Sequence, residues 1–142
     1  YFEARWKLTT IGAGTFDFFL GLSETDTTII TGSANTSSDY IGIQSITADL
    51  LAILVSENDG SLTAGGTAHT FVDGEYVKLG FVVDGVTSIT PYVNGVAGDK
   101  ITTNIAATKP MTPSVVVQSV ATTQPVGSVD WIACYQVEQI TN

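Results

Sequence analysis

One cysteine, Cys134, and one histidine, His69, are all the chain holds of either residue. A single cysteine excludes an internal disulfide framework, and the two together supply too few soft ligands for a zinc cage. Apolar neighbours make Cys134 read as a buried structural residue rather than a reactive thiol. No serine or cysteine elbow lies near His69, which reads as a surface or hydrogen-bonded residue in a threonine-rich segment. Charge is scarce as well: 13% of residues are Asp, Glu, Lys or Arg, against ~25% in an average globular protein. Basic residues are scarcer still, five against 14 acidic, for a formal charge of −9. Such a surface repels phosphate backbones and anionic headgroups, so neither nucleic acid nor a membrane is expected as a partner. No apolar run approaches the ~20 residues of a membrane helix. Gly12-Ala13-Gly14 is no dinucleotide loop, since no βαβ unit surrounds it. The chain opens at Tyr1, already inside a strand pattern, and reads as a processed or excised piece.

What is abundant points one way. Hydrophobic residues make up 44%, threonine fills 21 positions and glycine 14. β-Branched residues and turn formers together favour many short strands. The length fits one domain, 1–142, able to bury roughly 70% of its unfolded surface. No long helical period occurs. The stretch 49–55 is the most ambiguous, and its length suits a buried strand.

The stretch 75–96, EYVKLGFVVDGVTSITPYVNGV, organises the rest. Val77, Leu79, Phe81 and Val83 share one side of a period-two pattern, with Phe81 and Val83 expected to be buried. Asp84-Gly85 and Asn94-Gly95 are turn dipeptides, so the stretch predicts an antiparallel meander. Upstream, 1–8 alternates Phe2, Ala4, Trp6 and Leu8 inward with Glu3, Arg5 and Lys7 outward. A turn at 11–14 leads to a second strand through Phe16, Phe18, Leu20 and Leu22. Further strands are expected at 27–31, 40–47 and 49–56, with a polar loop at 32–39 and a turn at 57–60. The stretch 61–70 reads as weakly ordered or as an edge. Ile101 and Ile105 are candidate anchors in the polar connection 96–109, and strands at 114–120 and 129–138 close the chain. About ten strands at this spacing imply two packed sheets, with the last strand beside the first.

The strand, DG turn and strand ending Tyr92-Val93-Asn94-Gly95 resemble the central hairpins of laminin-G-like and concanavalin-A-like lectin/glucanase jelly rolls. YFEARWKL followed by GTFDFFLGL is similar to the early strands of laminarinase-like glycoside hydrolases and their non-catalytic relatives. The closing Val129-Asp130-Trp131-Ile132 with Tyr135 looks like the last strand of the same jelly rolls. The resemblance implies an all-β, antiparallel two-sheet jelly-roll sandwich of concanavalin-like type.

It also implies where chemistry should lie. Laminarinase-like enzymes carry E-x-D-x-x-E, two carboxylates flanking the glycosidic bond. The nearest match is Glu24-Thr25-Asp26-Thr27-Thr28-Ile29, which ends on Ile29 where the second catalytic carboxylate belongs. The expectation is therefore no catalysis and no catalytic residues. Oxygen donors cluster at Glu24, Asp26, Asn35 and Asp39, and at Glu57, Asn58 and Asp59, which suit calcium chemically. Neither spacing fixes a coordination shell, and both are ordinary turn chemistry, so no cofactor is expected and a structural calcium is the lesser alternative. Tyr40, Tyr92 and Trp131 are the candidate platforms for stacking on a sugar ring, against a plain role in the core or as cross-strand pairs.

Two function classes follow. The first is a non-catalytic virion structural protein, since bacteriophage head decoration and tail proteins often look like short acidic β-sandwiches. Its partners would be other virion proteins, with a homo-oligomer left open and the virion as its location. The second is an extracellular glycan-binding lectin or carbohydrate-binding module.

Overall fold

The computed structural model describes residues 1–12, 15–25, 28–46, 50–106, 108–122 and 124–137. Expectations that fell on Ala13, Gly14, Thr27, Thr47, Asp49 and Glu138 lie outside these. The described strands are β1 (Phe2–Thr9), β2 (Phe16–Ser23), β3 (Ile30–Thr31), β4 (Ala34–Asn35), β5 (Tyr40–Ser45) and β6 (Leu51–Asn58). They continue with β7 (Ser61–Thr70), β8 (Tyr76–Asp84), β9 (Ser88–Val93), β10 (Val96–Ala97), β11 (Thr112–Ser119) and β12 (Val126–Cys134). One five-stranded sheet, sheet A, runs β10-β9-β8-β1-β12, and a second, sheet B, runs β11-β2-β5-β6-β7. All pairings within each sheet are antiparallel, and β3 and β4 form a separate small hairpin. This is the expected all-β jelly-roll sandwich.

Period-two sequence is what builds the core. Phe2, Ala4, Trp6 and Leu8 are wholly buried on the inner side of β1, as are Phe16, Phe18 and Leu20 on β2. Leu79 and Phe81 meet them from β8, with the Phe2 and Phe81 rings stacked at a centroid distance of 5.3 Å. Trp6, Phe18 and Phe71 make a tighter knot, Phe18 and Phe71 meeting edge-on at 5.0 Å. Val83, expected to be buried, is half-buried, because it sits at the β8 end where the sandwich is open.

Turns fall where the dipeptides predict. Asn94 and Gly95 take φ of 51° and 84°, and Asp59 and Gly60 take 49° and 76°. Two successive positive φ values mark the hairpin turn whose twist matches the flanking strands. Glu57 and Asn58, read as turn residues, belong instead to β6, so the turn is only two residues long. The stretch 61–70 is a ten-residue edge strand. The strand expected at 27–31 shortens to Ile30–Thr31, because Gly32 and Ser33 turn the chain back on itself.

The two flanks of the sandwich differ. On one, loop 98–106 crosses from sheet A to sheet B. Ile89 and Ile101 exchange backbone hydrogen bonds of 2.9 and 3.0 Å. Ile101, Ile105 and Ala106 are buried there, so the predicted anchors do anchor. On the other flank, β11 and β12 are both edges. Val129 lies opposite buried Trp6, and Ile132 opposite buried Ala4, so both belong to the inner side of sheet A. Nothing among the described residues covers them, and they remain 44% and 42% exposed.

Candidate functional site

The outer side of sheet B is occupied by the chain itself. Phe19, Tyr40 and Val55 point outward from β2, β5 and β6, and the β3–β4 hairpin lays Ile29 and Ile30 over them as a second apolar cluster. Gly42 makes this packing fit, since a Cβ there would stand 2.5 Å from the Phe19 ring. Tyr40 is accordingly buried, its ring edge-on to Phe19 at 5.7 Å. Burial, and then the hydrogen bond its hydroxyl donates to Glu57, hold its pKa well above the ordinary phenol value. Tyr40 is therefore no sugar platform but a core residue, the plainer of the two roles expected for it. Ile29 is an anchor of this cluster.

The candidate calcium ligands divide. Glu24 accepts the Ser38 N–H at 2.6 Å, and Asn35 donates to the Gln44 side chain at 3.3 Å. Asp39 accepts the Asp59 N–H at 3.1 Å, which joins the two predicted clusters. Between Asp39 and Asp59 lies the Lys109 ammonium, 3.6 Å from one carboxylate and 2.8 Å from the other. The bond to Asp59 and the charge of Asp39 raise the Lys109 pKa. Asp26 lies outside the described residues. Among those described, no three His, Cys, Asp or Glu side chains converge as a metal site.

His69 is half-buried on β7, edge-on to Phe71 at 5.2 Å, and burial lowers its pKa. Cys134 is exposed, which corrects the expectation of a buried thiol. It faces inward opposite Phe2, but on the uncovered edge strand. It lines a cleft of about 810 Å³ at one end of the sandwich, with Leu22, Ile41, Val83, Met111 and Tyr135 among the walls.

The outer side of sheet A is open and differs in kind. Directly opposed residues of an antiparallel pair share a face. Trp131, Arg5 and Lys78 therefore form one row across β12, β1 and β8, and Lys7 and Tyr76 stand side by side in the next. A bulge opposite Arg5 and Trp6 leaves Asp130 as the extra residue of β12. Its carboxylate ion-pairs with the Arg5 guanidinium. The Arg5 guanidinium lies 4.2 Å, and the Lys7 ammonium 4.9 Å, from the Tyr76 ring centroid. Tyr76 and Trp131 keep 38% and 36% of their surface exposed. Glu3, Gly80 and Tyr92 form a third row, with Tyr92 half-buried. Glu3 crowds against Gly80, where a Cβ would stand 2.9 Å from the Glu3 Cβ.

Of the three predicted aromatics, two thus reach this face, separated by β1 and β8. Tyr76, Arg5, Lys7 and Lys78 were missed as site residues. Their outward side was legible from alternation, but not that β1 and β8 would bring them together.

No protein-family model matches the sequence, and no curated protein matches it. Solved structures do resemble the fold. Bacillus licheniformis β-glucanase superposes with a TM-score of 0.57 at 17% identity, over 92% of this chain and 63% of that one. The carbohydrate-binding module CBM66 of Bacillus subtilis gives 0.54 at 10% identity, over 90% and 72%. Sheep galectin-11 gives 0.51 at 15% identity, over 89% of each chain. The chain spans less than two thirds of the glucanase's length. At these identities the likeness defines the fold, a distant concanavalin-like jelly roll shared by glucanases, lectins and carbohydrate-binding modules.

Proposed function

We propose that this chain is a non-catalytic glycan-binding module whose binding surface is the outer side of sheet A. The observation that carries the reading is the exposed Trp131 ring, set among the hydrogen-bonding side chains of Arg5, Lys7, Tyr76 and Lys78 on an uncovered sheet face. Aromatic faces stack on the apolar C–H faces of pyranose rings while polar neighbours fix orientation. The rival surface on sheet B is filled by the chain's own hairpin. A fold shared with a carbohydrate-binding module and a galectin supports the reading. Catalytic silence belongs to the same proposal. Glu24 is tied to the Ser38 backbone, and Ile29, where the motif's last carboxylate would stand, packs in the second cluster.

The test is a glycan array with the purified chain and with Trp131→Ala. Binding that Trp131→Ala loses, with an unchanged melting temperature, supports the proposal. An array blank for the parent protein sinks it.

The second reading, a virion building block, is favoured by a different observation. The β12 edge, with Val129 and Ile132 exposed, offers an apolar strip to a neighbouring shell subunit. Co-sedimentation with particles, abolished by Ile132→Lys and untouched by Trp131→Ala, would favour this reading instead.

A further inference from the structure

The sequence contains five cationic side chains, and three of them, Arg5, Lys7 and Lys78, share the outer side of sheet A. Glu3 of β1, Asp130 of β12 and Asp84 at the far end of β8 add three carboxylates to that side, so it is balanced in charge while the rest of the chain is strongly acidic. The remainder of the sequence holds two cations and eleven acids. Random placement in so acidic a chain would scatter its few cations among carboxylates. Instead they gather on the one sheet face that is not covered.

Their arrangement is costly to the fold. Arg5 and Lys78 stand directly opposite each other on neighbouring strands, and like charges at such positions are destabilising. Only Arg5 has a carboxylate partner, Asp130. Lys7 and Lys78 make no ion pair among the described residues. Lys7 rests instead against the Tyr76 ring, an aromatic contact that leaves its ammonium available to an anion on the solvent side. A face that keeps two cations without partners beside two exposed aromatic rings suits a ligand with both negative charge and apolar ring surface.

Resting on the glycan-binding reading above, we propose that the ligand class is an acidic polysaccharide, its uronate carboxylates or sulfates held by Lys7, Lys78 and Arg5. Its sugar rings stack on Trp131, while the Tyr76 ring holds the Arg5 and Lys7 head groups in place. Neighbouring strands are ~4.8 Å apart, so the row from Trp131 to Lys78 spans about 10 Å, two sugar units. Duplex nucleic acid fits poorly, because its bases are stacked inside the helix and offer Trp131 no ring face. At 0.1 M salt the repulsion of the acidic remainder is screened beyond ~10 Å, and the three neighbouring cations decide.

Affinity electrophoresis in gels containing polygalacturonate, dextran sulfate, neutral dextran or laminarin tests this. The expected result is retardation by one or both acidic polymers, weakening as salt is raised. The double substitution Lys7→Ser with Lys78→Ser should lower that affinity about tenfold without lowering the melting temperature, and Lys78→Arg should retain it. Retardation by polygalacturonate alone assigns the carboxylate, and by dextran sulfate alone the sulfate. Retardation by the neutral polymers alone, or acidic binding indifferent to the double substitution, overturns this inference while the glycan-binding reading stands. If the inference and that reading both fail, no polymer retards the protein and the glycan array is blank.

Discussion

Arg5 and Lys78 face each other across β1 and β8, two cations at directly paired positions. Lys78→Glu should therefore stabilise the protein, replacing a repulsive cross-strand pair by an attractive one worth about 0.2–1 kcal/mol. Urea denaturation reads the gain. The same substitution should weaken binding to acidic polymers, so stability and affinity should move in opposite directions.

Phe81 is wholly buried and stacks on Phe2 at the centre of sheet A. Phe81→Ala should cost about 3–5 kcal/mol if the walls cannot collapse. A shift in the denaturation midpoint at unchanged slope would show that the loss lies in the folded state.

Gly42 is a packing residue. Its φ is ordinary, yet a methyl there would meet the Phe19 ring at 2.5 Å. Gly42→Ala should destabilise by about 1–3 kcal/mol through overpacking. Adding Phe19→Leu to Gly42→Ala should recover part of the loss in the same assay, which separates a steric cause from a backbone one.

Burial lowers the His69 pKa below its ordinary value of 6.5, and Glu75 opposes the shift only in part. The unfolded chain then binds the proton more readily than the folded one. Stability is whole above pH 6.5 and is lost as pH falls below it toward the folded pKa. The slope of stability between pH 7 and pH 5 should be shallower in His69→Gln.

Tyr40 sets the opposite limb. Its pKa is raised above the ordinary 10.0 by burial first and by Glu57 second. The folded chain keeps the phenolic proton that the unfolded chain releases, so this contribution is held below pH 10 and lost as pH climbs above it. Absorbance near 295 nm should show a late tyrosine step coincident with unfolding. Tyr40→Phe should remove that step.

Much of the architecture was legible because burial in a sandwich writes itself at period two. Phe2, Ala4, Trp6 and Leu8 declare an inner side, and Asn94-Gly95 declares a turn, from residues a few positions apart. The binding face was harder to read. Lys7 meets Tyr76 only because β1 and β8 pair in one register, a contact between distant parts of the chain. Trp131 shares the Arg5 side because a bulge at Asp130 resets the alternation of β12. Tyr40 was left between platform and core, and Cys134 was misread, for complementary reasons. An outward residue was covered by a hairpin, and an inward one sat on an edge that nothing covers. Local periodicity tells which way a side chain points, and only tertiary packing tells whether anything lies over it.

The pairing of β1 with β12 has a mechanical consequence. The Tyr1 amino group donates to the Tyr135 carbonyl at 3.0 Å, the Tyr135 N–H returns a bond of 3.1 Å, and the two rings stack at 4.7 Å. Tension applied between these two residues pulls the antiparallel strands apart from one end, loading their hydrogen bonds in succession. The pair should open like a zipper at low force, whereas pulling along β1 against β8 would shear many bonds at once. Resistance to stretching is therefore set by the direction of the load more than by the stability of the core.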